Sequence, residues 1–260
     1  MRATLITGAS GGIGEAFAGR LAAEKHNLVL VARSGDKLQQ ICDELESKHG
    51  VTADYIVLDL TEFEADKQLF EETEKNGIEI DWLINNAGFG SMGDFAGLEL
   101  DRELQMIDLN ISALVALTHR YLQGMRERRR GTIINVSSAA GFQPIPFMAT
   151  YAATKAFVTA FSEAIAEENR PYGVQVLALC PGSTETNFHE AAGMDRALAV
   201  KGQETPEQVV ETAMNAVGTG RSKIVSGWAN WAVASVTNLV PNSLITRTMA
   251  KAMRGRFQKN

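Results

Sequence analysis

The feature that most constrains the fold is a glycine-rich turn between a strand pattern and a helical pattern at the start of the chain. The apolar run 3–7 leads into Thr7-Gly8-Ala9-Ser10-Gly11-Gly12-Ile13-Gly14, and a helical pattern follows to about Lys25. Glycines at this spacing permit a sharp turn and a close approach to a pyrophosphate, while the helix start offers free N–H groups. We therefore predict a dinucleotide-binding turn, with a merely flexible turn as the alternative.

Strand and helix patterns alternate along the rest of the chain. Further strands are predicted at 28–32, 53–58, 82–85, 132–137, 174–179 and 223–225, and helices at 37–49, 62–76, 101–128, 150–170 and 206–217. Such alternation favours right-handed crossovers and a parallel sheet covered on both faces. We predict one α/β domain, a doubly wound parallel sheet of seven strands, over residues 1–227. Residues 228–260 form a tail that is part of this domain or peripheral to it.

Composition narrows the class of protein. The chain has no apolar run of the ~18 residues that span a bilayer and no pattern of a secretory leader. Two cysteines, Cys42 and Cys180, provide neither a disulfide framework nor a thiolate cluster, and the four histidines lack metal-ligand spacing. We expect a cytoplasmic protein without a metal. The basic residues lack interleaved aromatics, so nucleic-acid binding is not expected.

The end of the second strand indicates which dinucleotide binds. Nineteen residues after Gly14, where an NAD site usually has a carboxylate, stands Arg33, followed by Ser34. A guanidinium pairs with a phosphate through two parallel N–H bonds, and Lys37 adds charge one turn later. This favours NADP(H), although Arg33 as an ordinary exposed arginine is the alternative.

Four polar residues could carry chemistry. Tyr151 and Lys155 share one helix face, and an adjacent ammonium would lower the pKa of a phenol from its free value of ~10, so Tyr151 could exchange a proton with a carbonyl or alcohol oxygen. Ser138 follows the strand 132–137 and could donate to the same oxygen. Asn110 is an amide in an apolar helical pattern. Each has an ordinary structural explanation when taken singly.

Taken together, these motifs resemble the short-chain dehydrogenases/reductases. The matching residues, in the family's order over about 2–227, are Thr7, Gly8, Gly12, Ile13, Gly14, Asp59, Leu60, Asn85, Asn86, Ala87, Gly88, Asn110, Ser138, Tyr151, Lys155, Pro181 and Gly182. The resemblance implies a Rossmann-like sheet of strand order 3-2-1-4-5-6-7. It also implies a catalytic tetrad of Asn110, Ser138, Tyr151 and Lys155, in which Lys155 holds the nicotinamide ribose and Asn110 positions a water.

The same resemblance implies the cofactor contacts. Asp59 and Leu60 would meet the adenine, Ala87 and Gly88 the adenosine ribose, and Asn85 and Asn86 would brace the central strand. The whole predicted cofactor set is Gly8, Ser10, Gly12, Ile13, Gly14, Arg33, Ser34, Asp59, Leu60, Asn86, Ala87, Gly88, Tyr151, Lys155, Pro181, Gly182, Thr184 and Thr186. In relatives the helices bearing Asn110 and Tyr151 form the dimer interface, which implies a homodimer or homotetramer.

The expected substrate is a hydrophobic ketone, aldehyde, acyl-type compound or secondary alcohol. A lid is predicted at about 183–204, with Phe188, Met194 and Leu198, and apolar side chains flank the motifs at Phe89, Phe142, Ile145, Phe147 and Met148. Core packing is the alternative for each of them. A non-catalytic NADP-binding sensor or scaffold is the alternative function. We predict that the basic tail is a solvated segment. Contact with an anionic membrane surface or with an acidic ligand are the less favoured hypotheses.

Overall fold

The computed structural model describes residues 1–186, 203–228, 230–232 and 240–257. The strands are β1 Arg2–Thr7, β2 Leu28–Ala32, β3 Ala53–Val57, β4 Glu79–Asn85, β5 Gly131–Val136, β6 Val174–Cys180 and β7 Lys223–Val225. The α-helices are α1 Gly12–Ala23, α2 Gly35–His49, α3 Ala65–Lys75, α4 Leu100–Ile107, α5 Leu114–Arg128, α6 Ala149–Asn169, α7 Pro206–Ala216 and α8 Asn242–Phe257. Short 3₁₀ turns lie at Phe95–Gly97, Ala139–Phe142 and Arg170–Tyr172.

Within these residues, seven parallel strands form one sheet in the order β3-β2-β1-β4-β5-β6-β7. The predicted fold class and strand order are therefore confirmed. The strand order reverses between β1 and β4, which opens a crevice at the carboxyl ends of these strands, where open α/β sheets bind their ligands.

Helices bury both faces of the sheet, and successive side chains of each strand point to opposite faces. In β1, Ile6 packs in a core with residues of α1, α2 and α7, while Leu5 packs in a second core with residues of α3, α5 and α6. The apolar residues Phe17 and Leu117, both fully buried, represent these two layers. Because both faces of the central strands are buried, their sequences are continuous apolar runs rather than alternating apolar and polar residues.

The structure divides the single helix predicted at 101–128 into three segments. These are α4, a π-helical segment Asp108–Ala113, and α5. A π segment inserts an extra residue per turn without interrupting the helix, so the apolar periodicity on either side continues and gives little warning of it. Asn110 lies inside this segment.

Candidate active site

A cleft of about 970 Å³ opens at the carboxyl ends of the central strands. Of the predicted cofactor and catalytic positions, it is lined by Gly8, Ser10, Gly12, Ile13, Arg33, Ser34, Asp59, Leu60, Asn86, Ala87, Gly88, Ser138, Tyr151, Lys155, Pro181, Gly182, Thr184 and Thr186. Gly14 and Asn110 do not line it. A side chain on Gly14 would overlap the carbonyl oxygen of Gly8, so Gly14 lets α1 start directly against the turn.

The side chain of Asn86 holds the glycine turn by hydrogen bonds to its backbone. Gly8 has a φ of +66°, and an added Cβ would lie 2.9 Å from Ala87 Cα, so neither the backbone nor the space admits a side chain. The amide of Asn86 donates to the carbonyl oxygens of Thr7 at 3.0 Å and Gly8 at 3.1 Å. Asn86 therefore braces the turn itself as well as the strand that it follows.

Ser138, Tyr151 and Lys155 meet beside this turn. Ser138 is the second residue after β5, while Tyr151 and Lys155 lie one turn apart on α6. The side chains of Tyr151 and Ser138 hydrogen-bond each other. The Lys155 ammonium donates to the carbonyl oxygen of Val136 at 2.9 Å and lies 5.8 Å from the centre of the Tyr151 ring. The sequence-predicted catalytic face of α6 is thus aimed into the cleft.

Burial sets the proton affinities of this group. It raises the pKa of Tyr151 to about 12, and the hydrogen bond with Ser138 offsets only part of that rise. It also lowers the pKa of Lys155 to about 8. The expected depression of the Tyr151 pKa by Lys155 is therefore wrong for the protein by itself, since desolvation exceeds the effect of an ammonium that is bonded to Val136. At neutral pH the phenol is protonated, the state that a proton donor needs.

Asn110 lies behind the cleft and holds its wall. Its amide donates to the carbonyl oxygen of Phe89 at 3.0 Å and to Thr154 Oγ1 at 3.1 Å, and its oxygen accepts from Phe89 N–H at 3.2 Å. The residue is 1% exposed. The π segment turns this side chain towards Gly88 and Phe89, so Asn110 fixes the loop that passes beside Lys155. Its participation in proton transfer stays a prediction.

At the far end of the cleft, Arg33 and Asp59 face each other. The Arg33 guanidinium is 78% exposed and lies 3.5 Å from a carboxylate oxygen of Asp59. Burial would raise the pKa of Asp59, but hydrogen bonds from Thr61 and the charge of Arg33 outweigh it and hold this pKa below its usual value. Lys37 instead approaches Glu15 at 3.9 Å and does not line the cleft. Among the described residues, Arg33 is the cationic side chain that lines this end of the cleft.

The predicted apolar wall is largely present. Phe89, Phe142, Ile145 and Met148 line the cleft, together with Met92 and Leu109, which the sequence analysis did not single out. Phe147 is a correction, because its ring is turned away and stacks on Phe257 of α8 at a centroid distance of 5.0 Å. The backbone of Phe147 has a φ of +66°, which explains why it leaves the row of its neighbours. Phe188, Met194 and Leu198 of the predicted lid lie outside the described residues.

Sequence reasoning missed a polar clasp formed by Glu204, Ser226 and Asn230. The Glu204 carboxylate accepts from Ser226 Oγ at 2.7 Å and from Asn230 Nδ2 at 3.3 Å. Its backbone pairs with the segment after β6, donating to Ser183 O at 3.1 Å and accepting from Glu185 N at 2.9 Å. The clasp joins three stretches that are distant in sequence, so no local pattern announces it.

The clasp also closes one side of the cleft. Asn230 lines the cleft, and its side chain lies so close to Gly182 that no Cβ would fit there. The backbones of Thr184 and Glu204 also form an isolated parallel β-bridge. Through these contacts Glu204 fastens the cofactor-side segment Gly182 to Thr186 against the end of β7.

In the described part of the chain, every helix is too short or too polar to span a bilayer. The same residues include no group of three or more histidine, cysteine, aspartate or glutamate side chains that could hold a metal ion.

Comparison with known proteins decides the family. The model of the family described as short chain dehydrogenase matches residues 2–197. The chain belongs to this family. A very-long-chain 3-oxoacyl-CoA reductase of Anas platyrhynchos is 32% identical to this short-chain dehydrogenase over 269 residues, which covers 98% of this chain and 82% of the relative.

Solved structures agree with the fold of this short-chain dehydrogenase. A 7beta-hydroxysteroid dehydrogenase superposes with a TM-score of 0.87 at 27% identity, covering 96% of each chain. A short-chain dehydrogenase from Sphingobium yanoikuyae in complex with NADPH gives a TM-score of 0.81 at 31% identity, covering 94% of this chain and 95% of that one. As a family member, the chain is an oxidoreductase that transfers hydride with a nicotinamide dinucleotide.

Proposed function

We propose that this protein is an NADPH-dependent carbonyl reductase acting on a hydrophobic ketone, with a 3-oxoacyl thioester as the favoured class of substrate. The observation that carries the proposal is the juxtaposition of Ser138, Tyr151 and Lys155 beside an apolar wall of the cleft. The similarity to a 3-oxoacyl-CoA reductase supports the acyl class, and the similarity to a hydroxysteroid dehydrogenase supports a bulky apolar ketone.

The residues of the cleft fit the reduced dinucleotide. The Gly8 to Ile13 turn offers a cradle that a Cβ at Gly8 would fill, suited to the pyrophosphate, and Arg33 with Ser34 suits a ribose 2′-phosphate. Asp59 and Leu60 would border the adenine, and Lys155 would hold the nicotinamide ribose. NADPH supplies the hydride when bound.

The chain's own residues would then supply the proton. Ser138 orients the carbonyl oxygen by a hydrogen bond, and the phenol of Tyr151 donates its proton to that oxygen as negative charge develops. The raised pKa of Tyr151 keeps the donor protonated at neutral pH. The buried ammonium of Lys155 lies near enough to stabilise the resulting phenolate until a proton returns from solvent.

The activity test follows NADPH absorbance against a panel of 3-oxoacyl thioesters, steroid ketones and short charged carbonyl compounds. We expect turnover of the long apolar substrates, and for Tyr151→Phe a loss of about 10³-fold in kcat with NADPH binding retained. Turnover confined to small charged carbonyls would contradict the substrate class. NADPH binding without any turnover would favour the alternative of a non-catalytic sensor or scaffold.

Cofactor choice has its own test in Arg33→Asp. The introduced carboxylate removes the cation and repels a 2′-phosphate, while it can accept hydrogen bonds from a free ribose 2′-OH. We expect kcat/KM for NADPH to fall at least about tenfold relative to that for NADH. The matched control is Lys48→Asp, which introduces the same carboxylate at an exposed position that does not line the cleft. An unchanged preference in Arg33→Asp would refute the NADP assignment.

A further inference from the structure

The charge of this chain is strongly segregated towards its C-terminus. No aspartate or glutamate follows Glu211, whereas seven lysines and arginines do, so a chain of net charge −6 carries −13 before that point and +7 after it. An anion approaching the protein is therefore repelled by most of the body and attracted by its last residues.

Helix α8 displays part of this charge on one face. Arg247, Lys251 and Arg254 are exposed there at i, i+4 and i+7 spacing, whereas Arg256, which is also exposed, lies two residues after Arg254 and therefore on the other side of the helix. The opposite face bears Ile245, Met249, Met253 and Phe257, all half-buried at successive four-residue steps. The helix is thus amphipathic, with its apolar stripe towards the protein and its basic stripe towards solvent.

The last turn of α8 is fixed at the rim of the cleft. Phe257 stacks on Phe147 with an interplanar angle of 26°. Phe147 stands between Ile145 and Met148, which both border the cleft on its apolar side, and its carbonyl oxygen accepts a hydrogen bond from Gly93 at 2.9 Å. Arg254 and Arg256 belong to the same turn as Phe257 and are exposed, so the contact with Phe147 brings this basic turn to the side on which Ile145 and Met148 border the cleft, although neither arginine lines it.

We propose that the exposed arginines of the last turn of α8, Arg254 and Arg256, bind the phosphate groups of a coenzyme A thioester whose acyl chain enters the apolar cleft. This inference rests on the proposed function and makes α8 a substrate-recognition element. The charge of the helix complements the phosphates, and its anchorage at Phe147 places that charge beside the apolar wall. An anionic lipid surface offers the same headgroup chemistry, but it would not need the basic turn to stand at the cleft.

The kinetic test compares one 3-oxoacyl chain on two carriers, coenzyme A and N-acetylcysteamine, which lacks the phosphates. In Arg254→Gln/Arg256→Gln we expect KM for the coenzyme A thioester to rise about tenfold, with kcat and the N-acetylcysteamine thioester unaffected. Added salt should raise the same KM in the wild-type protein. The control Lys48→Gln/Arg221→Gln removes two exposed charges elsewhere and should alter neither substrate.

A binding measurement keeps the inference testable without turnover. Calorimetry on the full chain compares free coenzyme A with pantetheine, and we expect coenzyme A alone to bind, with affinity reduced about tenfold in Arg254→Gln/Arg256→Gln. Equal loss for both thioesters, no loss for either, or equal binding of coenzyme A and pantetheine would overturn the proposal. So would a double variant that loses only its binding to phosphatidylserine vesicles. Failure to oxidise NADPH with any carbonyl would instead defeat the proposed function.

Discussion

Tyr151 and Lys155 lie one turn apart on α6, and the loss of water around them sets the pKa values of both side chains. Four-residue spacing on α6 places both side chains on one face, as predicted. The sign of the Tyr151 pKa shift depends on how much water is removed, and that is a property of the surrounding strands. Burial raises the pKa of Tyr151 and lowers that of Lys155, so each group disfavours its charged form in the protein alone.

The buried ammonium of Lys155 has a predictable cost in stability. Its pKa falls from 10.5 to about 8, so below pH 8 the folded state bears the full cost of a buried cation, about 3 kcal/mol. Between pH 8 and 10.5 only the unfolded state binds this proton, and the free energy of unfolding rises with pH. We expect Lys155→Met to be more stable than wild type at pH 7, with its advantage shrinking by about 2 kcal/mol at pH 9.5.

Urea denaturation at the two pH values measures this difference. Lys48→Met, which removes an exposed lysine, serves as the control and should show no comparable change between the two pH values. A stability advantage of Lys155→Met that is the same at both pH values would show that burial does not lower the pKa of the Lys155 amine.

At the scale of elements, the π segment and the clasp are the two features that local patterns left unpredicted. The π segment inserts one residue into a helix whose apolar periodicity continues on both sides, and it aims Asn110 at the loop after β4. The clasp depends on which loop ends meet, because Glu204, Ser226 and Asn230 come together only when β6 and β7 pair. Both features act on backbone that borders the cleft.

The clasp predicts a selective effect on cofactor binding. In Glu204→Ala the segment Gly182 to Thr186 loses its side-chain tie to Ser226 and Asn230, so we expect KM for NADPH to rise about tenfold while kcat at saturation changes little. Glu204→Gln retains an acceptor for Ser226, so its KM for NADPH should lie between the values for the wild-type protein and Glu204→Ala. Glu207→Gln changes an exposed neighbour and serves as the control. An equal fall in kcat and kcat/KM would contradict a positioning role for the clasp.

At the scale of the whole molecule, an apolar surface on α4 and α6 remains uncovered. Leu100 is 64% exposed, Leu104 49%, Ile107 37% and Phe157 41%, and the two helices pack together. The first three follow one another at i, i+4 and i+7 along α4. Beside them Glu103 is 4% exposed, and neither of its carboxylate oxygens has a hydrogen-bond partner in the described residues. Exposed apolar side chains on two helices that pack together are typical of an interface between subunits.

We predict that the protein is a homo-oligomer whose interface includes this surface. Introducing two charges by Leu104→Arg/Phe157→Arg should shift the mass measured by light scattering after gel filtration to that of a monomer, because buried unpaired charges oppose association. Phe63→Arg is the matched control. Phe63 is 93% exposed, and it lies two residues before α3 rather than on α4 or α6. A wild-type protein that is already monomeric would contradict the prediction.

The sequence by itself determined the seven strands and the glycine turn, because these depend on periodicity and glycine spacing local to the chain. The strand order followed from the resemblance of its motifs to the short-chain dehydrogenases/reductases. The sequence placed Gly8 and Ser138 near the carboxyl ends of the strands that precede them, and Tyr151 and Lys155 on one face of the helix that became α6.

Only the tertiary structure decided the direction of the pKa shifts, the turn of Phe147 away from the cleft, and the clasp at Glu204. Each depends on which distant segments exclude water from a group or approach it closely, and nothing in the local pattern of residues carries that information. The position of the basic helix belongs with them, since a contact between Phe147 and Phe257 brings its last turn to the cleft.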